Sequence, residues 1–303
     1  RITELAAAGA RIARERAEAA EAVDGRMRWV LGSMGPGTKL PSLGHTTYAH
    51  LKETFALQAE GLIDGGADAF LVETSQDLLQ TKAAINGCKQ AIVARGIRLP
   101  IFVEVTVETT GAMLMGSEIG AALTALEPLG VDAIGLNCAT GPAEMSEHLR
   151  HLSKHSSVTI ACMPNAGLPV LTADGAHYPL TPAELATAHE QFVREFGIGL
   201  IGGCCGTTPE HLAAVVDRVG RLSVATRTPD RETPPGHRDT ESAPVSRREN
   251  GVSLASAIET EPGVASLYQH VPFRQDASHL AIGERTNANG SKAFREAMLE
   301  GRW

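Results

Sequence analysis

The sequence contains no apolar run approaching the roughly 20 residues that a membrane-spanning helix needs. No signal-peptide pattern opens it either, so a cytoplasmic protein with no membrane partner is expected. Positive charge is scarce: 27 Lys and Arg stand against 35 Asp and Glu, and the net charge of -8 argues against nucleic acid as a partner. Cysteine is scarce too. Five in 303 residues, an odd number widely spread, excludes the disulfide framework of a small secreted domain and points to reduced thiols. What remains, 43% apolar and 20% charged, is an ordinary globular composition with the length of one large domain or two modest ones.

Apolar periodicity alternates between two kinds along the first two thirds of the chain. Residues 1–23 repeat at helical spacing and stop at Asp24-Gly25; a strand is then expected at 27–31, followed by a Gly-rich turn at 32–37. Helices are expected at 48–63, 77–95, 117–126, 142–155, 181–196 and 209–219, with strands at 67–73, 100–107, 131–138, 158–163 and 198–203. Six strand-then-helix units imply a parallel sheet, because parallel neighbours need a long return path. An open doubly wound sheet and a closed barrel both satisfy that pattern. The chain opens on a helix with no strand before it, and two further units would complete eight. The expected fold is therefore α/β, a (β/α)8 TIM barrel lacking its first two strands.

A short repeat, Gly65-Gly66-Ala67-Asp68-Ala69 and Leu129-Gly130-Val131-Asp132-Ala133, precedes two of the strands. Past residue 222 the composition changes. Residues 226–250 are crowded with Pro, Arg, Asp, Glu, Thr and Ser, and so little apolar surface does not offset the entropy of ordering them. The domains expected are a barrel at 1–222, a linker at 223–262 and the beginning of a second domain at 263–303, with a strand from 280 to 287 and a helix from 291 to 300.

The chemistry concentrates at two strand ends. Ile198-Gly199-Leu200-Ile201 runs into Gly202-Gly203-Cys204-Cys205-Gly206, and Val131 to Asn137 runs into Cys138. Active sites of β/α barrels lie at the C-terminal ends of the strands, where all three thiols fall. Zinc takes thiolates in a tetrahedron, and three protein ligands leave one corner open, as catalytic sites do. A core role for the three cysteines as small apolar filler is the competing reading. Three thiolates make zinc a poor activator of water, but a soft sulfur ligand bound there stays deprotonated and reactive. Attack of a substrate thiol on an alkyl donor follows. Cys88 and Cys162, away from any glycine turn, read as core; His148, His151 and His155 read as a solvated helix face; and the loop at 32–37 lacks the Gly-Lys-Ser/Thr ending of a phosphate cradle.

At Gly202 to Gly206 and at Gly135-Leu136-Asn137-Cys138 the sequence resembles the homocysteine-methyltransferase family, with Pro164-Asn165-Ala166-Gly167 between the two motifs as in that family. The resemblance covers about residues 1–220. It implies zinc held by Cys138, Cys204 and Cys205, with Asn165 in the fourth position until substrate sulfur displaces it. Glu73 matches the acidic residue that receives the amino group of homocysteine, with Asn137 and Glu104 as further substrate contacts. Gly283-Glu284-Arg285-Thr286-Asn287 resembles the start of the pterin-binding barrel that follows in the cobalamin-dependent members, making Glu284 and Asn287 candidate folate contacts. The implied cofactors are thus zinc, methylcobalamin and methyltetrahydrofolate, the last two carried by domains not present here. The family's Asp-Gly-Ala-Met-Gly stretch and its Asp-x-His-x-x-Gly cobalamin motif are absent, so an inactive fragment is expected in isolation. The alternatives are a cobalamin-independent thiol methyltransferase and a non-catalytic module with a structural zinc.

Overall fold

The structure, a computed structural model, describes residues 1–172, 175–224, 227, 263–266, 268–273 and 296. Helix α1 (Ile2–Asp24) is stopped by Gly25, left-handed at φ 68°. Strand β1 (Leu31–Met34), α2 (Tyr48–Asp64), β2 (Ala69–Ser75), α3 (Leu78–Arg95), β3 (Ile101–Val105), α4 (Ile119–Leu126), β4 (Ala133–Asn137), α5 (Pro142–His155) and β5 (Thr159–Met163) follow in alternation. A small antiparallel hairpin, β6 (Val170–Thr172) with β7 (Gly175–His177), precedes α6 (Pro182–Phe196), β8 (Leu200–Ile201) and α7 (Pro209–Val219). A second hairpin pairs β9 (Gly263–Ala265) with β10 (His270–Pro272).

The main sheet has six parallel strands in the order β1-β2-β3-β4-β5-β8. That order never reverses. Right-handed crossovers that always step the same way put every connecting helix on one face, which curls the sheet as a barrel wall; a doubly wound sheet would reverse at a switch point. The α/β barrel-type architecture expected from the sequence is the one observed, as an arc of six strands. Among the described residues β1 and β8 do not pair with each other.

Alternation along the strands separates two environments. Toward the helices, Phe70, Val72, Val103, Val105, Ile134, Leu136, Ile160 and Cys162 join the main apolar core with Phe55, Leu126 and Leu149 from the helices. Cys88 and Cys162 are both fully buried, as expected of core thiols. The concave face carries Ser33, Glu73, Glu104, Gly135 and Asn137. The repeated Gly-x-Asp-Ala turn has a structural purpose: Asp68 accepts the Val30 N–H at 2.7 Å and Asp132 accepts the Ile101 N–H at 2.8 Å, each carboxylate capping the start of the preceding strand. Helix α1 lies close on α2 because Gly61 has no side chain; a Cβ there would stand 2.3 Å from the Thr3 carbonyl oxygen.

The sequence expectation placed the first strand too early. Met27 and Trp29 are exposed, and pairing with β2 begins only at Leu31 opposite Ala69. Gly32, expected in a turn, lies within β1, where the missing side chain makes room for Leu62; a Cβ would lie 2.8 Å from its methyl carbon. The last strand is shorter than expected, because the chain turns at Gly202 toward the cysteine pair. Neither hairpin was expected. The second docks on α4: Glu118 N–H donates to the Tyr268 carbonyl at 2.6 Å, and Thr124 Oγ1 lies 2.8 Å from His270 Nδ1. His270 also stands near His151 on the expected solvated histidine face of α5, where His148 and His151 are half-buried and His155 is exposed. Burial first, then His155 and His270, push the His151 pKa down to about 4. Glu284 and Asn287, the strand at 280–287, the helix at 291–300 apart from Glu296, and nearly all of the linker lie outside the described residues. No described helix is long and apolar enough to cross a membrane.

Candidate metal centre

Strand β4 delivers Cys138 through a backbone that few side chains tolerate. Cys138 and Ala139 are left-handed at φ 61° and 55°, which turns the thiol away from the ladder direction and out over the end of the sheet. The Cys138 N–H still reaches the Met163 carbonyl at 3.2 Å. The turn after β8 delivers the other two thiols. Gly206 is left-handed at φ 77° and a Cβ there would meet the Tyr178 ring at 2.2 Å, so only glycine lets this turn close.

The Pro164-Asn165-Ala166-Gly167 loop clamps the two turns together. Cys204 N–H donates to the Pro164 carbonyl at 2.8 Å, Cys205 N–H to Asn165 Oδ1 at 3.0 Å, Ala166 N–H to the Cys205 carbonyl at 2.9 Å, and Asn165 N–H to the Thr140 carbonyl at 3.0 Å. The sulfurs of Cys138, Cys204 and Cys205 consequently lie within 4.8 Å of one another. Cys138 Sγ and Cys205 Sγ are 3.7 Å apart. Zinc–sulfur bonds of about 2.3 Å at the tetrahedral angle require sulfurs about 3.8 Å apart. The donor set and its spacing fit zinc, and Cys205 is on the exposed side of the trio.

Electrostatics in the trio are uneven. The Cys138 thiol is pushed down to about 5, chiefly by the hydrogen bond from Cys204 and further by Ala139 N–H, Cys205 and Asn165, against burial. Cys204 is pushed up because it is the donor to Cys138, with burial adding to the effect. One negative charge is therefore shared before any cation arrives. Tyr178, a residue for which the sequence offered no motif, covers this turn; its phenol is pushed up by desolvation and by the nearby Cys205, to which it hydrogen-bonds.

The candidate substrate residues fall at different distances from the trio. Asn137 Nδ2 lies 3.9 Å from Cys204 Sγ, and Asn165 accepts the Cys205 backbone N–H with its Oδ1. Glu73 at the end of β2 accepts a hydrogen bond from Ser33 Oγ on β1. Glu104 is completely buried on β3, and neither carboxyl oxygen has a hydrogen-bond partner. Burial, then the charge of Glu73, holds its carboxyl well above the usual range, which favours its protonated form. His189 on α6, likewise unforeseen, is fully buried and its Nε2 lies 2.8 Å from the Gly202 carbonyl, bracing the approach to the cysteine pair.

A family model described as homocysteine S-methyltransferase matches residues 1–219. The chain belongs to the homocysteine S-methyltransferase family. It is 56% identical over 299 residues to the methionine synthases of Mycobacterium tuberculosis and Mycobacterium leprae, covering 99% of this chain and 23% of each relative. The chain thus spans about a quarter of the length of these curated relatives. Among solved structures, the metallated form of the homocysteine methyltransferase MmuM from Escherichia coli aligns with a TM-score of 0.58 at 24% identity, over 71% of this chain and 70% of that one. At that identity the likeness speaks to the fold shared across the family.

Proposed function

We propose that this chain is the homocysteine-binding part of a zinc-dependent homocysteine S-methyltransferase, a methionine synthase whose methyl donor is methylcobalamin. The observation that carries this reading is the convergence of three sulfurs from the end of β4 and the turn after β8 to within 4.8 Å of one another, one pair 3.7 Å apart and one side exposed. Cys138, Cys204 and Cys205 would hold the metal. When bound, zinc would keep a substrate thiol deprotonated and nucleophilic at neutral pH, where a free thiol of pKa about 8.5 is mostly protonated.

The chain's own residues do the rest by position. Asn165 Oδ1 already accepts one N–H and has a second lone pair, a weak and exchangeable occupant for the fourth corner. Glu73 takes the substrate ammonium, Asn137 orients the sulfur end, and Glu104 as a neutral acid supplies an O–H donor behind Glu73. The product is methionine. Methylcobalamin, and the methyltetrahydrofolate that recharges it, would be carried by other domains of the same protein; the length of the mycobacterial relatives and the Gly283 to Asn287 segment support this. Five free thiols suit a reducing compartment, and we place the protein in the cytoplasm.

Metal analysis and X-ray absorption of reduced protein test the reading. About one zinc per chain is expected, lost in Cys204→Ser, and homocysteine should add one zinc–sulfur bond. Metal-free protein with three intact thiols, or a sulfur count that homocysteine leaves unchanged, refutes it.

A further inference from the structure

A single buried amide joins the two ends of this site. Thr74 is left-handed at φ 55°, which for a β-branched residue is a conformation that its surroundings must enforce. It lies where the pairing of β2 with β3 slips between Val72 and Ser75, a bulge that redirects the chain just after Glu73. Asn137, 1% exposed, holds this bulge with both ends of its amide: Oδ1 accepts the Thr74 N–H at 2.8 Å and Nδ2 donates to Thr74 Oγ1 at 2.9 Å. The same Nδ2 is 3.9 Å from Cys204 Sγ. Thr106 Oγ1 donates to the Asn137 backbone carbonyl at 3.1 Å, anchoring the main chain from which the amide extends.

We propose that Asn137 and Thr74 act as a spacer that fixes the separation between the Glu73 carboxylate and the sulfur cluster, selecting an amino acid whose thiol lies one methylene beyond that of cysteine. The proposal rests on the assignment of Glu73 to the ammonium and of the three cysteines to zinc. A ligand gripped at both ends measures the distance between its grips. On this reading cysteine, one methylene shorter with its sulfur on zinc, would bring its ammonium to Glu73 only if the bulge moved, and the left-handed Thr74, hydrogen-bonded twice by Asn137, resists that movement. One methylene in an apolar pocket is discriminated by roughly 10- to 200-fold, and an unpaired charged group adds to that. Asn137 and Thr74 are positioning residues here, because they act through Glu73 and Cys204.

Calorimetric titration of the zinc-loaded protein with homocysteine and with cysteine tests the spacer in wild type, Asn137→Ala, Thr74→Gly and Thr74→Ser, with zinc content and thermal unfolding followed in parallel. Glycine keeps the left-handed backbone but removes the Oγ1 anchor, whereas serine retains both. Asn137→Ala and Thr74→Gly should each lower the homocysteine-to-cysteine affinity ratio by about tenfold, mostly by loss of homocysteine affinity, with zinc still bound; Thr74→Ser should restore the ratio. An unchanged ratio in Thr74→Gly, with zinc bound and the fold intact, overturns the spacer even if Asn137→Ala loses its metal. Glu73→Gln separates the two levels: if it leaves homocysteine affinity untouched, the ammonium assignment fails and the spacer fails with it.

Discussion

Replacing Glu104 by glutamine removes an ionisable group on the concave face that is wholly buried without a hydrogen-bond partner among the described residues. Its folded-state pKa is raised above the unfolded value, first by burial and then by Glu73. In the unfolded chain the carboxyl loses its proton near its ordinary pKa of about 4.3, while the folded protein still holds it. The stability associated with the group is therefore fully present below that pH and falls as the pH rises toward the folded pKa. Between the two values the unfolded state binds one proton fewer, and the slope is about -1.4 kcal/mol per pH unit. Glutamine has a similar shape and does not titrate. Urea unfolding of metal-free, reduced wild type and Glu104→Gln at intervals from pH 5 to 7 should show wild type losing stability relative to the variant as the pH rises, at a slope no steeper than about 1.4 kcal/mol per pH unit. The buried amide of glutamine shifts the whole difference by a constant, on the order of 1–3 kcal/mol for an unpaired polar group, without changing its slope. A difference that stays flat across this range would refute the neutral-acid assignment.

Three other substitutions probe the scaffold around the metal centre. Gly206→Ala places a Cβ 2.2 Å from the Tyr178 ring on a left-handed backbone, and should weaken zinc binding in a chelator competition while leaving the far-UV circular dichroism close to wild type. His189→Leu strips the Gly202 carbonyl of its donor inside the protein and should destabilise by about 1–3 kcal/mol in thermal or urea unfolding, with His189→Gln recovering part of the loss. Asp132→Ala leaves the Ile101 N–H uncapped at the start of β3 and should cost about 1 kcal/mol, read by the same unfolding assay; an unchanged midpoint would deny the repeated Asp its capping role.

The strand-and-helix alternation was open to reading because most elements carry their own period: apolar runs bounded by glycine for buried strands, stripes at helical spacing for α5, α6 and α7. The three metal-binding candidates were legible for a related reason. Parallel strands in a barrel wall all end on the same side, so a thiol at the end of β4 and a pair after β8 are brought to one rim by topology alone. The β1 boundary was misplaced because Met27 and Trp29 are apolar yet exposed, and no local pattern distinguishes an exposed apolar side chain from a strand residue. The surroundings of His151 include His270, more than a hundred residues further along, brought there by the docking of its hairpin on α4.

Sequence alone determined the order of the elements, the parallel sheet and the placement of three thiols at strand ends, since these follow from periodicity and from chain direction. Tertiary structure decided how the donors are held: the Pro164 to Gly167 clamp, the left-handed turns at Cys138 and Thr74, and the Asn137 amide reaching both Thr74 and Cys204. These depend on hydrogen bonds a few ångströms long between residues 63 or more positions apart in the case of Asn137. Spacing along the chain carries no trace of such a distance until the strands between have packed and curled.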